Sequence, residues 1–209
     1  MEVKNAIISV SDKTGIVEFA KKLRELNVVI YSTGGTYKHL IDAKINVRKI
    51  QELTKFPEIM DGRVKTLHPY IYGGILGKRE NEKHVNTIAR YSIPWIDLVV
   101  VNLYPFEEVI KKEDTDLDTA LENIDIGGVT LLRAAAKNFK DVVVLNELAQ
   151  YQHVINELKQ TGKVSLENRQ LFAFAAFAYT SHYDSTIYSY LEESYYKGYK
   201  IEEVSWQKL

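Results

Sequence analysis

The chain has 209 residues, of which 26% are charged, and a formal net charge of −1 at pH 7. This length suits one domain with a sizeable core, and the balanced charge argues against a nucleic-acid-binding protein, which needs a basic surface. The absence of cysteine excludes disulfides and thiolate metal sites and agrees with a reducing cytoplasm. We expect neither a signal peptide nor a membrane span, because the longest apolar run, residues 171–179, is too short to cross a bilayer.

Strands and helices are predicted to alternate along the chain. A buried strand at residues 6–10 precedes a helix beginning at Ile16, and a second strand at residues 28–32 precedes a short helix that includes Leu40. Further strands are predicted at residues 47–50, 98–101 and 142–145, and helices near residues 82–91, 115–123, 149–160 and 166–191. Valine-rich strands separated by helices indicate an α/β fold of three layers, with a mostly parallel sheet and helices on both faces.

Two strand-to-helix junctions carry residues suited to a phosphate. In the first, Lys13 falls at the positive end of a helix dipole, where a cation is unfavourable unless an anion binds. The second, residues 33–36, combines two glycines with flanking hydroxyls and can supply N–H and O–H donors. Each loop alone is also typical of an ordinary turn. Consecutive parallel strands place both loops at the carboxyl edge of the sheet, which favours one shared phosphate site.

Residues 61–77 have no clean helical or strand period. Basic and apolar residues alternate there and glycines follow them: Arg63, Val64, Lys65, Leu67, His68, Gly73, Gly74 and Gly77. An irregular segment is usually a solvated loop. Apolar residues between cations, with so many glycines, instead favour a loop folded over a ligand.

The longest motif runs from residue 123 to residue 138. Gly127 and Gly128 fall where a helix should begin and leave N–H groups available to an anion beside Asp125. In the ordinary structural interpretation, Asp125 caps the helix and Lys137 is a partner of the helix C-terminus. A straight helix from Asp125 to Lys137 would be about 18 Å long. For both to reach the same atoms, the helix must be interrupted, which we expect, or Lys137 must come from another element or a neighbouring subunit.

Taken in order, five motifs resemble those of the IMP cyclohydrolase domain. They are Ser11-Asp-Lys-Thr-Gly, Ser32-Thr-Gly-Gly-Thr, Gly62-Arg-Val-Lys-Thr-Leu-His-Pro, Asn102-Leu-Tyr-Pro-Phe and Asp125-Ile-Gly-Gly-Val-Thr-Leu-Leu-Arg-Ala-Ala-Ala-Lys-Asn. That domain is the N-terminal half of a bifunctional purine-biosynthesis protein whose other half is AICAR formyltransferase. The resemblance implies a methylglyoxal-synthase-like fold, a cytoplasmic homodimer and, in the family, a fused transformylase domain. We expect the cyclohydrolase domain at residues 1–194, a tail or linker start at residues 195–209, and no transformylase activity.

The resemblance implies closure of the pyrimidine ring of IMP from the formamido-carboxamide ribotide, a purine ribotide monophosphate. The carboxamide nitrogen attacks the formyl carbon and water leaves, so the enzyme must orient weak reactants, stabilise an oxyanion and move protons. No redox step or group carrier is involved, and no cofactor or metal is expected. The alternatives are a methylglyoxal-synthase-like lyase and a non-catalytic regulatory domain that binds a nucleotide or another effector.

The resemblance also assigns residues to roles. The expected catalytic residues are Lys65, Tyr104, Asp125 and Lys137. The expected substrate-binding residues are Ser11, Asp12, Lys13, Thr33, Gly34, Gly35, Thr36, Arg63, Val64, Thr66, Val101, Asn102, Ile126, Gly127 and Gly128. Lys13 and residues 33–36 would bind the phosphate, Asn102 and Asp125 would orient the base, Lys65 would face the oxyanion and Lys137 would transfer protons. The roles of the two catalytic lysines could be exchanged.

Residues 171–179 predict a helix that is apolar on nearly every side. Such a helix must be covered all round, either beneath the sheet or near a two-fold axis. Tyrosines, which interfaces favour, follow at Tyr179, Tyr183, Tyr188, Tyr190, Tyr195, Tyr196 and Tyr199. We therefore expect a homodimer to which the C-terminal helix contributes buried surface.

Overall fold

The computed structural model describes residues 1–112 and 114–195, which contain a five-stranded sheet. The strands are β1 (Asn5–Val10), β2 (Val29–Ser32), β3 (Arg48–Lys49), β4 (Leu98–Asn102) and β5 (Val143–Leu145). Their order is β3-β2-β1-β4-β5, and all four pairings are parallel. The side chains at residues 98–101 are buried on both faces of the sheet, as the continuous apolar run predicts. The three-layer α/β fold is confirmed.

Ten α-helices occur within the described residues. They are α1 (Ile16–Glu25), α2 (Gly34–Asp42), α3 (Ile50–Thr54), α4 (Pro69–Leu76), α5 (Glu82–Arg90), α6 (Phe106–Ile110), α7 (Leu117–Glu122), α8 (Gly127–Lys137), α9 (Leu148–Thr161) and α10 (Leu166–Tyr195). The helices predicted near residues 82–91, 115–123, 149–160 and 166–191 are therefore confirmed as α5, α7, α9 and α10. The sequence pattern missed α3 and α4.

The glycine-rich part of residues 61–77 is a helix, so the expectation of a ligand-covering loop was wrong there. His68 caps α4, because its Nδ1 accepts the N–H of Tyr70 at 3.2 Å. A Cβ atom added at Gly74 would lie 3.0 Å from the Ile96 side chain, and one at Gly77 would lie 2.6 Å from the Trp95 ring. These glycines let the helix and the chain after it pack closely against the segment before β4.

The chain divides into two compact units. The first contains Met1–Tyr104 and Asp125–Thr180, and thus the sheet and every expected site residue. The second contains Pro105–Ile124 and the chain from Ser181 onward. Within it, the buried Phe106 ring makes edge-on contacts with Tyr183 and Tyr190, at 6.3 and 5.7 Å between ring centroids. Residues 196–209, including Tyr196 and Tyr199, lie outside the described residues, and the domain boundary predicted after residue 194 stays a prediction.

Helix α10 is not covered all round by its own chain. Phe172 and Ala176 are buried, whereas Leu171 and Phe174 are 59% and 73% exposed. One apolar face of this helix is therefore open within the described residues, so they do not provide the cover on every side that was expected. No helix among residues 1–112 and 114–195 combines the length and the apolar character needed to cross a membrane.

Candidate active site at the carboxyl edge of the sheet

The ends of β1 and β4 are joined by the side chain of Asn102. Its Oδ1 accepts the backbone N–H groups of Ser11 and Asp12 at 2.6 and 2.9 Å, and its Nδ2 donates to the Asp12 carbonyl at 2.9 Å. Asn102 therefore fixes the shape of the first loop. Its amide oxygen already accepts two hydrogen bonds, so it has one amide hydrogen left with which to orient a ligand base.

The Asp12 carboxylate closes the same loop rather than facing a ligand. Its Oδ1 accepts the hydroxyl of Thr14 at 2.7 Å and the Thr14 N–H at 2.9 Å. These hydrogen bonds, with a smaller effect of the Lys13 charge, lower the pKa of Asp12. Gly15 is the N-cap residue of α1; its φ of 71° is left-handed, and it makes no side-chain capping hydrogen bond. Neither Ser11 nor Asp12 is therefore the cap of this helix.

Lys13 and Lys65 bring two ammonium groups to the start of α2. Lys13 Nζ donates to the Ser11 carbonyl at 3.0 Å and lies 3.9 Å from the place a Cβ of Gly35 would take. Lys65 Nζ lies 3.9 Å from the corresponding place at Gly34. The first N–H groups of a helix have no partner within it, and no side chain caps α2. Two cations beside such N–H groups make the start of α2 a candidate anion site.

The hydroxyls flanking the glycine pair have other partners. Thr36 Oγ1 accepts the N–H of Val10 at 3.0 Å and donates to the Val10 carbonyl at 2.9 Å. Thr33 Oγ1 lies 3.0 Å from Ser9 Oγ. Both threonines are buried. The Thr36 hydroxyl hydrogen is therefore used within the fold rather than for a phosphate, whereas in the Ser9–Thr33 contact either hydroxyl can be the donor. Residues 33–36 also offer an anion their backbone N–H groups.

Residues 63–66 connect the anion site to the start of α8. A tight turn precedes them, with Met60, Asp61 and Gly62 all left-handed at φ of 54°, 53° and 85°, and an antiparallel bridge joins Ile59 to Val64. The chain then turns inward, so that Arg63 is exposed whereas Thr66 is buried.

Thr66 and Lys65 lie between two groups of glycines. A Cβ atom added at Gly127 would come within 2.8 Å of Thr66 Oγ1. Cβ atoms added at Gly34 and Gly62 would each lie 3.9 Å from Lys65 Nζ. Lys65 therefore stands between the phosphate loop and the N-terminus of α8. It is in a position to interact with the reacting end of a ligand whose phosphate lies at α2.

Asp125 is a partly buried carboxylate at the start of α8. Its Oδ1 accepts the N–H of Gly128 at 2.7 Å, and the backbone N–H of Tyr104 also bonds to it. Burial raises the pKa of Asp125, and this effect outweighs the opposing effects of the two N–H groups and of Lys65. A carboxyl group with a raised pKa beside a cation is suited to proton transfer.

Gly128 permits this arrangement. A Cβ atom there would lie 2.5 Å from Asp125 Oδ2 and 2.7 Å from Leu103 Cδ2. Ile126, rather than Asp125, is the residue that precedes the helix, and its side chain is exposed. The Gly128 N–H binds Asp125, whereas the Gly127 N–H, as one of the first N–H groups of α8, has no acceptor within the helix and can face an oxyanion.

The structure does not bring Lys137 to the same place. Helix α8 is continuous from Gly127 to Lys137, and ten residues of helix span about 15 Å. The expectation of an interrupted helix was wrong, because residues 127–137 contain no breaker after the glycine pair and their apolar side chains are buried in one stripe. Lys137 is exposed at the far end of α8. Within one chain it cannot reach Asp125.

The remaining expected residues lie at the same edge. Tyr104 follows β4 and its side chain is 53% exposed. Val101 is buried within β4, so only its backbone can contact a ligand. A cavity of about 690 Å³ at the opposite, amino edge, lined in part by Arg79 and Trp95, contains none of the expected site residues. The free helix N-termini and the two lysines identify the carboxyl edge as the better candidate.

Comparison with protein families agrees with this fold. The profile described as MGS-like domain matches residues 15–130, and the profile described as AICARFT/IMPCHase bienzyme matches residues 135–209. Because the first match covers more than half of the chain, the chain belongs to the MGS-like domain family.

Its relatives define the branch of that family. The bifunctional purine biosynthesis protein PurH of Thermoanaerobacter sp. (strain X514) is 55% identical over 188 residues, which are 90% of this chain and 37% of that protein. PurH of Bacillus subtilis (strain 168) is 53% identical over 191 residues, 91% of this chain and 37% of that protein. The crystal structure of ForH matches with a TM-score of 0.80 at 36% identity, covering 90% of this chain and 98% of that chain. The chain spans little more than a third of the length of these PurH relatives, and the resemblance predicted from the motifs is confirmed.

Proposed function

We propose that this chain is an IMP cyclohydrolase, which closes the ring of the formamido-carboxamide ribotide with loss of water in purine biosynthesis. The observation that carries the proposal is the placement of Asp125 and Lys65 at the start of α8, beside an anion site formed by Lys13 and the N-terminus of α2. One edge of the sheet thus offers a phosphate site and an acid–base site together. The similarity to PurH proteins supports the same activity.

The phosphate anchors the substrate. Lys13 and the free N–H groups of Gly34 and Gly35 neutralise it, and Lys65 approaches the same loop. Holding the two reacting groups of one molecule in attacking geometry contributes up to about 7–11 kcal/mol to catalysis. Anchoring by the phosphate and by the remaining amide hydrogen of Asn102 supplies that orientation.

Ring closure forms one C–N bond and expels one water. When the carboxamide nitrogen attacks, the formyl oxygen gains negative charge, which the Lys65 ammonium and the Gly127 N–H stabilise. The former formyl oxygen leaves as water with two protons, one released by the attacking carboxamide nitrogen and one by the formamide nitrogen, whose bond to the carbon becomes double. Asp125 accepts the first of these protons and passes it to the oxygen. The exposed Tyr104 hydroxyl lies at the same edge and belongs to this proton path.

A catalytic role for Lys137 requires delivery from a neighbouring subunit, because α8 holds it about 15 Å from Gly127 in its own chain. The open face of α10 at Leu171 and Phe174 favours association with a second copy. We therefore include a homodimer in the proposal, together with a cytoplasmic location. Residues 195–209 are assigned to a tail or linker start, and no transformylase activity is assigned to this chain.

Turnover of two candidate substrates and binding of IMP test the proposal. Conversion of the formamido-carboxamide ribotide to IMP, followed by ultraviolet absorbance, is the expected result. Dihydroxyacetone phosphate tests the methylglyoxal-synthase-like alternative. The match of residues 15–130 to the MGS-like domain family is compatible with that alternative. Release of methylglyoxal without IMP formation would replace the proposal by the lyase. Tight binding of IMP with no turnover of either substrate would indicate a regulatory domain.

A further inference from the structure

Two tyrosine hydroxyls near Asp125 have no part in the chemistry described above. Tyr72 belongs to α4 and Tyr179 to α10. Burial raises the pKa of both phenols, and the Asp125 charge adds to the rise in each case. Both hydroxyls therefore stay protonated at neutral pH and lie within electrostatic range of the same carboxylate.

Tyr72 is linked to the first turn of α8 by two successive hydrogen bonds. Its hydroxyl donates to Thr130 Oγ1 at 2.7 Å. The Thr130 hydroxyl lies 2.9 Å from the Ile126 carbonyl and 3.0 Å from the Gly127 carbonyl and donates to them. This turn supplies one of the two backbone N–H groups that bind Asp125. Tyr72 thus links α4, the helix that follows the Lys65 segment, to α8, the helix that begins beside the Asp125 carboxylate.

Tyr179 holds the other segment. Its phenol oxygen accepts the backbone N–H of Leu103 at 3.1 Å. The next backbone N–H, that of Tyr104, is the second donor to Asp125. Each N–H group that binds the carboxylate therefore belongs to a segment fixed by a tyrosine from a different helix.

We propose that Tyr72 and Tyr179 are positioning residues that hold, through Thr130 and Leu103, the two N–H groups that fix the Asp125 carboxylate. The catalytic consequence rests on the proposed cyclohydrolase function. The geometric consequence does not, since it concerns only the protection of two amide hydrogens.

The proposal has a pH signature. The groups that interact with Asp125 include Lys65 from the segment before α4, Tyr72 from α4, Tyr179 from α10 and the two N–H groups. The N–H groups and Lys65 lower the pKa of Asp125 against the effect of burial. Loosening either N–H group removes part of that opposition, so the pKa rises further. The acid limb of the kcat/KM profile should then move to higher pH, by about 0.5–1 pH unit for one weakened hydrogen bond.

Phenylalanine substitutions test both consequences. In Tyr72→Phe the amide hydrogen of Gly128, and in Tyr179→Phe that of Tyr104, should exchange about two to ten times faster by NMR. In both variants kcat should fall about two- to tenfold while KM changes little, and the acid limb should move. Tyr70→Phe is the matched control. It removes the same hydroxyl two residues away on α4, where the ring contacts His68, and should leave exchange and pH profile unchanged.

Variants of Thr130 test the link itself. Thr130→Val should reproduce Tyr72→Phe, whereas Thr130→Ser keeps the hydroxyl and should retain wild-type exchange and pH profile. Wild-type exchange and an unmoved acid limb in both tyrosine variants would overturn the proposal, even if their melting temperatures fell. Faster exchange in a protein whose wild type does not form IMP would support the positioning role and refute the proposed function.

Discussion

Replacing Gly128 with alanine perturbs the Asp125 carboxylate without touching its chemistry. The added Cβ would lie 2.5 Å from Asp125 Oδ2, whereas ordinary contact begins at 3.4 Å. The carboxylate or the helix start must therefore move by about 0.9 Å, and a displacement of about 1 Å can cost on the order of a hundredfold in rate. We expect kcat for IMP formation to fall about a hundredfold in Gly128→Ala.

The same substitution has an opposite, favourable effect on helix stability. A loss of turnover through displacement of Asp125 can therefore be distinguished from a loss through unfolding. Alanine is favoured over glycine within a helix by up to about 1 kcal/mol, so urea unfolding should show little loss of stability. Gly73→Ala in α4 is the control, because its Cβ would meet the Ile93 side chain at 3.2 Å and the Ile88 side chain at 4.0 Å. Turnover within about threefold of wild type is expected there. Wild-type turnover in Gly128→Ala would refute the placement of Asp125 at the reacting atoms.

Four further predictions concern the site and its assembly. Lys13→Ala should weaken binding of IMP, measured by calorimetry, about ten- to a hundredfold through loss of a charge-assisted hydrogen bond, while inosine binding is unaffected; equal losses would place the phosphate elsewhere. Thr36→Val should instead lower the free energy of unfolding by about 1–3 kcal/mol, because it removes the hydroxyl that bonds both backbone groups of Val10; a loss of phosphate affinity with unchanged stability would contradict this assignment. Burial raises the pKa of Asp125, so the folded state binds its proton more tightly than the unfolded chain, and stability is lost as pH rises through the folded pKa. The stability of Asp125→Asn, measured by urea unfolding, should therefore decline less as pH rises above about 4, the ordinary pKa of an aspartate, and an unchanged profile would show the pKa of this carboxyl to be ordinary. If Lys137 acts across a dimer, inactive Lys137→Ala and inactive Asp125→Asn chains, unfolded and refolded together in equal amounts, should recover about a quarter of wild-type turnover in random dimers; no recovery would remove Lys137 from the mechanism.

The order of strands and helices was predictable because each buried strand is a short apolar run between polar turns. Residues 98–101 show this most clearly, since only a strand buried on both faces needs four consecutive apolar side chains. The strand predicted at residues 47–50 is only the two-residue β3. Arg48 and Lys49 are both exposed, and only their pairing with β2 defines them as a strand.

Helix α4 was missed because its glycines weaken the local helical signal. Gly74 is required by contact with Ile96, a residue 22 positions away, and such a contact is not visible in a local pattern. Helix α8 was predicted from the sequence, but its expected interruption between Asp125 and Lys137 is absent. Residues 127–137 form one continuous helix.

The sequence predicted that the expected site residues other than Lys137 lie at one edge of the sheet, but it did not predict the hydrogen-bond partners of their polar side chains. Sequence shows that Thr36 and Asn102 have hydrogen-bonding groups but not which atoms satisfy them. Thr36 bonds to Val10, and Asn102 bonds to residues 90 and 91 positions earlier. For the same reason Tyr72 was not singled out and Tyr179 was predicted only as an interface residue, since their hydrogen-bond partners lie on other elements.

The structure of the chain with bound IMP tests the central claim most directly. The account predicts the phosphate against Lys13 and the N–H groups of Gly34 and Gly35. The pyrimidine ring should lie between Lys65 and Asp125, within hydrogen-bonding distance of both. IMP bound in the amino-edge cavity around Arg79 and Trp95, or bound at the carboxyl edge with its base directed away from Asp125, would contradict it.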